Sequence, residues 1–137
     1  MSTATTPDWR ALAARVSYPT GLFIDGASGE GALRADVVSP IDGRVVTDVA
    51  FGDAADIDRA VRSARASFED GRWRLRSPME RKEVLVRWAQ LVQDHAAELA
   101  VLTALEMGKP AREAQAIDVR ACHRTLRWFG EAIDKTL

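Results

Sequence analysis

Residues 53–68 read DAADIDRAVRSARASF, and they mark the point at which this 137-residue chain becomes helical. The apolar side chains in this segment are Ile57, Ala60, Val61, Ala64 and Phe68. Their spacing predicts an amphipathic helix with one apolar stripe. Asp53 is placed to cap the helix, and Asp56 lies in the first turn, where the positive end of the helix dipole stabilises an acidic side chain. Gly71 is expected to end the helix.

A second helical segment begins at Ser77-Pro78-Met79-Glu80, which combines a capping box with a proline at the first helical position. We expect a break in this segment at Asp94 or His95. Gly108, followed by Lys109-Pro110, is a strong stop signal. The apolar positions of the segment are Leu85, Trp88, Val92, Leu99 and Leu102.

A last helix is predicted from about residue 111 to residue 133. Its apolar seam consists of Val119, Cys122, Leu126, Phe129 and Ile133. Three basic residues form a line along the same helix, and they are Arg120, Arg124 and Arg127. With Glu131 four residues beyond Arg127, a solvated or ion-paired face is favoured over a phosphate-binding stripe.

The chain before Asp53 has a different pattern. Short apolar runs predict strands at Leu22-Phe23-Ile24, at Val37-Val38 and from Val45 to Phe51. The turn Ile41-Asp42-Gly43-Arg44 is expected to join the last two strands. Further upstream, Thr6 as a cap and Pro7 as the first helical residue predict a short helix that extends through Val16.

These elements divide the chain into three predicted parts. Residues 1–20 form a tail with a short helix, residues 21–52 form short strands and turns, and residues 53–137 are helical. The predicted fold class of the chain is therefore α+β, with short N-terminal strands followed by three or four helices.

Composition excludes several classes of protein. The chain is 47% apolar and 28% charged with a net charge of -1, so neither a disordered chain nor a nucleic-acid binder is expected. The absence of a long apolar run argues against a transmembrane helix, and residues 1–7 lack the pattern of a secretory signal. A lone cysteine, Cys122, favours a reducing compartment, and we expect a cytoplasmic domain.

The residues alone reveal no catalytic apparatus. Cys122 is the only thiol and lies on the apolar seam, so a buried, inert cysteine is favoured over a nucleophile paired with the adjacent His123. His95 interrupts an apolar stripe, which favours a hydrogen-bonded or half-buried packing histidine over a catalytic base. The tryptophans are expected to act as packing anchors, and they are Trp9, Trp73, Trp88 and Trp128.

Five motifs occur in a fixed order along the chain. They are Leu22-Phe23-Ile24-Asp25-Gly26, Ser39-Pro40-Ile41-Asp42-Gly43, Ile57-Asp58-Arg59-Ala60-Val61, Glu106-Met107-Gly108-Lys109-Pro110 and Glu131-Ala132-Ile133-Asp134-Lys135. Together they resemble the N-terminal segment of the aldehyde dehydrogenase family, over about residues 22–137. Trp9 and Arg74-Leu75-Arg76-Ser77-Pro78 most resemble the branch that acts on γ-glutamyl-γ-aminobutyraldehyde in putrescine degradation.

The resemblance implies an α/β parent enzyme several times longer, with a Rossmann-like cofactor domain, a catalytic domain and an oligomerisation arm. Residues 53–137 would then be the helical part of an incomplete cofactor-binding domain. In the family a cysteine thiolate attacks the aldehyde, hydride passes to the nicotinamide, and a glutamate activates water. These residues belong downstream of Leu137, and the flanks of Cys122 do not match the family's Gly-Gln-x-Cys. We therefore assign no catalytic or cofactor-binding residue to this chain.

The resemblance also implies a site for a structural monovalent cation, potassium or sodium. Many members hold it with backbone oxygens just before an Asn-Pro turn and with an aspartate on a later helix. This chain has Ser39-Pro40 at the turn, so the corresponding residues are Val37, Val38 and Asp118. A helix cap or an ion pair is the alternative role for Asp118.

The chain is thus interpreted as the N-terminal segment of an NAD(P)-dependent aldehyde dehydrogenase that oxidises an aldehyde, in particular an amino-aldehyde, to its acid. Neither NAD nor NADP is expected to bind this segment tightly, and the segment alone is expected to be inactive. The expected partners are a second copy or other aldehyde dehydrogenase subunits, with no nucleic acid and no membrane. The alternative is a stand-alone helical interaction module that docks onto other subunits.

Overall fold

A computed structural model describes residues 7–135 of the chain. The elements in order are α1 (Trp9–Ala13), β1 (Leu22–Ile24), β2 (Ala27–Gly29), β3 (Leu33–Val38), β4 (Val45–Phe51), α2 (Ala54–Glu69), α3 (Pro78–Asp94), α4 (Ala96–Met107), α5 (Ala111–Glu113), a π-helical segment (Ala114–Val119) and α6 (Arg120–Ala132). After α1, short strands precede the remaining helices, which confirms the predicted α+β class. None of the helices in the described range is long and apolar enough to cross a membrane.

The strands form two separate antiparallel ribbons, β1 with β2 and β3 with β4. Asp25 and Gly26 join the first pair, and both have left-handed backbones, with φ of 54° and 76°. This is the backbone that a tight two-residue hairpin requires. β2 was not predicted, because Ala27-Ser28-Gly29 has little intrinsic preference for a strand and only its pairing with β1 defines it.

The residues predicted to cap α2 and α3 and to end α2 do so in the structure. Asp53 and Asp56 form a capping box at the start of α2, and Ser77 and Glu80 form another at the start of α3. Gly71, just beyond α2, has a left-handed backbone with φ of 75°. Each signal acts through hydrogen bonds within one turn, so it does not depend on the rest of the fold.

The apolar stripe of α2 faces solvent. Ile57 and Phe68 are 60% and 59% exposed. The helix packs mainly against β1, and the Ser63 hydroxyl donates at 3.1 Å to the carboxylate of Asp25 in the turn that follows β1. The stripe therefore exists as predicted, but no described part of this chain covers it.

The core lies among α3, α4, the π-helical segment and α6. Its buried apolar residues are Ala89, Val92, Ala96, Ala100, Val101, Ala114 and Val119. Small residues allow the helices to approach closely. A methyl group added at Gly130 would lie only 3.1 Å from the Leu85 side chain, so α6 crosses α3 at this glycine.

The inward face of α6 differs from the predicted seam. Val119 is buried and Leu126 packs against the core, as predicted, but Cys122 and Phe129 are exposed. The half-buried residue is His123, whose ring Nδ1 lies 2.8 Å from the Ala89 carbonyl oxygen. The prediction of a buried cysteine is therefore wrong for this structure. The inward positions Val119, His123, Leu126 and Gly130 keep a regular helical spacing, but a histidine and a glycine are not apolar, so the apolar pattern placed the seam on the residues just before them, Cys122 and Phe129.

Three other sequence predictions need correction. Helix α1 is capped by the Asp8 carboxylate, which accepts from the Arg10 and Ala11 amides at 3.1 and 3.0 Å, and it ends before Val16. Thr6, the predicted cap, lies outside the described residues. Trp9 packs against the core as an anchor. The other three tryptophans, Trp73, Trp88 and Trp128, are exposed and do not anchor the core among the described residues. Trp128 packs edge to face on Phe129, which is itself exposed.

Candidate functional site

The turn between β3 and β4 is built around Ser39, which is only 3% exposed. Its hydroxyl accepts from the Ile41 amide at 3.3 Å, and its carbonyl accepts from the Gly43 amide at 2.9 Å. Serine thus closes the turn with a side-chain acceptor, as asparagine does in similar turns. The Ser39 hydroxyl, followed by the Arg44 amide, also lowers the pKa of Asp42 by hydrogen bonding to its carboxylate.

The end of α4 lies against this turn. Gly108 has a left-handed backbone with φ of 72°, and its amide donates to the Ala104 carbonyl at 2.9 Å. A Cβ atom at position 108 would lie 3.0 Å from Pro40 Cγ and 3.6 Å from Ile41 Cγ1. Glycine is therefore required for the backbone conformation and also for the close approach of the turn.

The next residue, Lys109, binds Asp118 of the π-helical segment. Its ammonium nitrogen lies 2.7 Å from Asp118 Oδ2, and the two side chains are 26% and 42% exposed. Val37 and Val38 immediately precede the turn that contacts Gly108. The Gly108-Lys109 pair thus connects the two parts of the predicted cation site, which are far apart in sequence.

The ligand chemistry of these residues fits a monovalent cation only in part. Backbone and carboxylate oxygens are hard donors of the type that such ions prefer. However, one oxygen of Asp118 already holds the Lys109 ammonium group, and residues 7–135 contain no group of three or more His, Cys, Asp or Glu side chains suited to a metal. The observed contact is the ion pair considered as the alternative, and the cation role of Val37, Val38 and Asp118 stays a prediction.

An apolar cleft of about 230 Å³ lies between the β3–β4 ribbon and α4. Val37, Val49 and Leu105 contribute to its walls, and Glu106 is the only carboxylate among its lining residues. Such a surface can accommodate an apolar side chain, but it offers no thiol or imidazole for covalent or general-base chemistry.

The side chains that the sequence offered as catalytic candidates do not hydrogen-bond to one another. Cys122 is exposed on α6, whereas the Nδ1 atom of the adjacent His123 is engaged by a backbone carbonyl of α3. His95 lies where the chain breaks between α3 and α4, and it is exposed rather than half-buried. Its ring contacts the Glu98 carboxylate at 2.8 Å, which agrees with the alternative of a hydrogen-bonded histidine. The structure therefore brings no thiol and base together among these candidates.

The basic line on α6 is divided between two environments. Arg127 forms an ion pair with Glu131 at 2.8 Å, which confirms the ion-paired prediction for that residue. Arg120 and Arg124 instead line a groove beside His123. Neither this groove nor the role of Lys109 could be predicted from the sequence, because both depend on contacts between separate elements that no local pattern encodes.

Comparison with known proteins adds independent evidence. The profile of the aldehyde dehydrogenase family matches residues 27–137. An aminoacetaldehyde dehydrogenase of Pseudomonas aeruginosa is 45% identical over 130 residues, covering 93% of this chain and 26% of that protein. The NADP/NAD-dependent aldehyde dehydrogenase PuuC of Escherichia coli is 40% identical over 129 residues, with 93% and 26% covered.

A solved structure shows the same arrangement of elements. The crystal structure of γ-glutamyl-γ-aminobutyraldehyde dehydrogenase from Burkholderia cenocepacia matches with a TM-score of 0.91 and 43% identity. The match covers 94% of this chain and 27% of that one. The chain therefore spans about a quarter of the length of the curated relatives it matches.

Proposed function

Since this chain belongs to the aldehyde dehydrogenase family, we propose that it forms the N-terminal segment of an NAD(P)-dependent enzyme that oxidises an aldehyde to its carboxylic acid. The observation that carries this proposal is the continuous match of 93% of the chain to one quarter of an aminoacetaldehyde dehydrogenase. The shared fold, at a TM-score of 0.91, supports the same assignment.

The segment contributes structure rather than chemistry. We assign residues 53–137 to the helical part of the cofactor-binding domain, where α2, α3 and α6 present apolar faces to the rest of the enzyme. The exposure of Ile57, Trp88 and Phe129 supports this role, because large apolar side chains in a folded domain are normally covered. The nicotinamide cofactor, when bound, accepts hydride from the substrate, and the residues that hold it belong to the remaining three quarters of the enzyme.

An amino-aldehyde is the proposed substrate class. Two similar proteins support it by name, an aminoacetaldehyde dehydrogenase and a γ-glutamyl-γ-aminobutyraldehyde dehydrogenase. The second name is also consistent with a role in putrescine degradation. A reducing, cytoplasmic setting is proposed because the sequence contains a single cysteine, Cys122, which is unpaired and exposed.

We propose that Val37, Val38 and Asp118 bind a structural potassium or sodium ion. Backbone oxygens at the end of β3 and the second oxygen of Asp118 would hold it. Lys109 competes for the same carboxylate, so ion binding requires the ammonium group to share or leave it.

Fragment complementation tests the function. The chain is co-expressed with the P. aeruginosa aminoacetaldehyde dehydrogenase truncated to remove its matching N-terminal segment. We expect formation of reduced cofactor from an amino-aldehyde only when both pieces are present. Activity of the truncated enzyme alone, or of the 137-residue chain alone, would contradict the proposed role.

An interaction module that docks onto intact subunits is the second candidate, favoured by the exposed stripe of α2. Mixing the chain with the complete P. aeruginosa enzyme distinguishes the two roles. Stable association with the complete enzyme, without rescue of the truncated one, supports the module.

A further inference from the structure

A polar groove of about 510 Å³ lies between the α3–α4 junction and the helical segment that leads into α6. The polar side chains that line it are Gln93, Gln115, Arg120, His123 and Arg124. Its remaining walls are apolar or small residues, including the buried Ala96 and Val119. None of these residues belongs to the cluster formed by Lys109 and Asp118.

The groove contains hydrogen-bond donors and no carboxylate. The two guanidinium groups only donate, and the two glutamine amides each provide an NH2 group. Within residues 7–135, neither Arg120 nor Arg124 forms an ion pair or a side-chain hydrogen bond. By contrast, Arg127, one turn further along α6, is held by Glu131 at 2.8 Å. The groove is thus a concentration of positive charge that the described residues do not neutralise.

The spacing of the two arginines adds to the argument. They lie four residues apart on one helix, so their side chains are neighbours on the same face. Like charges at this spacing repel each other. An anion bound between the two arginines offsets this repulsion and accepts a charge-assisted hydrogen bond from each of them. Guanidinium groups suit this task because their planar donor pairs match the oxygens of a carboxylate or phosphate.

The histidine and the π-helical segment give the groove a fixed shape. The carbonyl of Ala89 can only accept, so the Nδ1 atom of His123 carries the hydrogen and donates at 2.8 Å. This bond fixes the ring and leaves Nε2 as the nitrogen without a protein partner among the described residues. Gln115 lies in the π-helical segment, a deviation from regular helix that often accompanies a binding site.

We propose that this groove binds an oxyanion, the carboxylate or phosphate group of a small molecule. Arg120 and Arg124 donate hydrogen bonds to the anion from one side. Gln93 and Gln115 donate from their amide groups, and His123 forms part of the wall. This binding does not depend on the proposed dehydrogenase role.

The test uses inorganic phosphate and succinate as probes. Each is titrated with the purified 137-residue chain at constant ionic strength set by potassium chloride, and binding is followed from the ligand signals by phosphorus or proton NMR. We expect saturable binding of at least one probe, and the probe that binds identifies the group. Arg124→Gln should weaken the affinity by about tenfold, as expected for loss of a charge-assisted hydrogen bond.

Arg127→Gln is the matched control, since it removes the same charge from the same helix outside the groove. It should change the affinity by less than about twofold. Arg124→Lys, which keeps the charge but loses the planar donor pair, should also weaken binding, and circular dichroism verifies that each variant is folded. The proposal is overturned if neither probe saturates, or if Arg127→Gln weakens binding as much as Arg124→Gln does.

Discussion

The ammonium group of Lys109 lies 2.7 Å from Asp118 Oδ2, and this bond joins the end of α4 to the π-helical segment. The lysine directly follows Gly108, which lies against Pro40 in the turn between β3 and β4. One short stretch of chain therefore contacts both the turn between β3 and β4 and the π-helical segment. The relationship makes the proposed cation site testable, because the lysine and an added ion would compete for one carboxylate.

Asp118→Asn should abolish the stabilisation that potassium gives relative to a bulky organic cation at equal ionic strength. The reason is that an amide oxygen carries no full charge to hold the ion. The measurement is the difference in melting temperature between the two salts. Lys109→Gln is the control, since it removes the competing ammonium group and should preserve or increase the potassium effect. If neither variant changes the salt difference, Asp118 acts only as an ion-pair partner.

Gly108→Ala should lower the free energy of unfolding by more than Gly26→Ala does. Both glycines have left-handed backbones, for which a side chain costs about 1–2 kcal/mol. Only position 108 adds a close contact, because its new Cβ would lie 3.0 Å from Pro40 Cγ, whereas position 26 has open space. Urea unfolding monitored by circular dichroism measures both changes. Equal losses in the two variants would show that the turn moves away without cost.

Acid should weaken the start of α3 through Glu80. The Ser77 hydroxyl and then the Ser77 amide hydrogen-bond the carboxylate and lower its pKa. A carboxylate whose pKa is lower in the folded state stabilises the fold above its unfolded pKa, about 4.3 for glutamate, and this contribution is lost as the pH falls through the folded value.

Ser77→Ala should therefore raise the pKa of Glu80 toward its ordinary value and reduce the loss of stability between neutral and acid pH. Carbon-detected NMR titration of the Glu80 carboxyl group measures the pKa directly. Glu83→Gln, on the same helix but outside the capping box, is the matched control and should leave the Glu80 pKa unchanged. A Glu80 pKa that does not change on substitution would contradict the capping assignment.

The isolated chain should self-associate through its exposed apolar faces. Burial contributes about 25 cal/mol per Å² of apolar surface, so contact between copies is favourable for side chains such as Ile57 and Phe68. Light scattering at micromolar concentration should detect dimers or larger species. Val61→Lys on the stripe should reduce them, whereas Arg65→Ala, which lies off the stripe, should not. A monodisperse monomer of 15.0 kDa would contradict this expectation and favour the stand-alone module.

The sequence by itself determined where α2 and α3 begin and where α4 ends. Asp53 with Asp56, and Ser77 with Glu80, form capping boxes whose partners are three residues apart. Gly108 ends α4 because it tolerates a left-handed backbone that other residues adopt only at a cost. These signals are local, so the amino acids present are enough to fix them. The ordered motifs of the chain likewise sufficed to identify its family.

Only the tertiary structure decided which faces are covered and which distant residues meet. The apolar residues of α6 favour a seam through Cys122 and Phe129, but the helix packs against α3 through His123 and Gly130 instead. Strand β2 exists because β1 pairs with it, since its own residues have little preference for a strand. The contact between Lys109 and Asp118 and the groove beside Arg124 arise where separate elements pack. Packing depends on contacts between residues far apart in the chain, and no pattern within a single helix or strand contains that information.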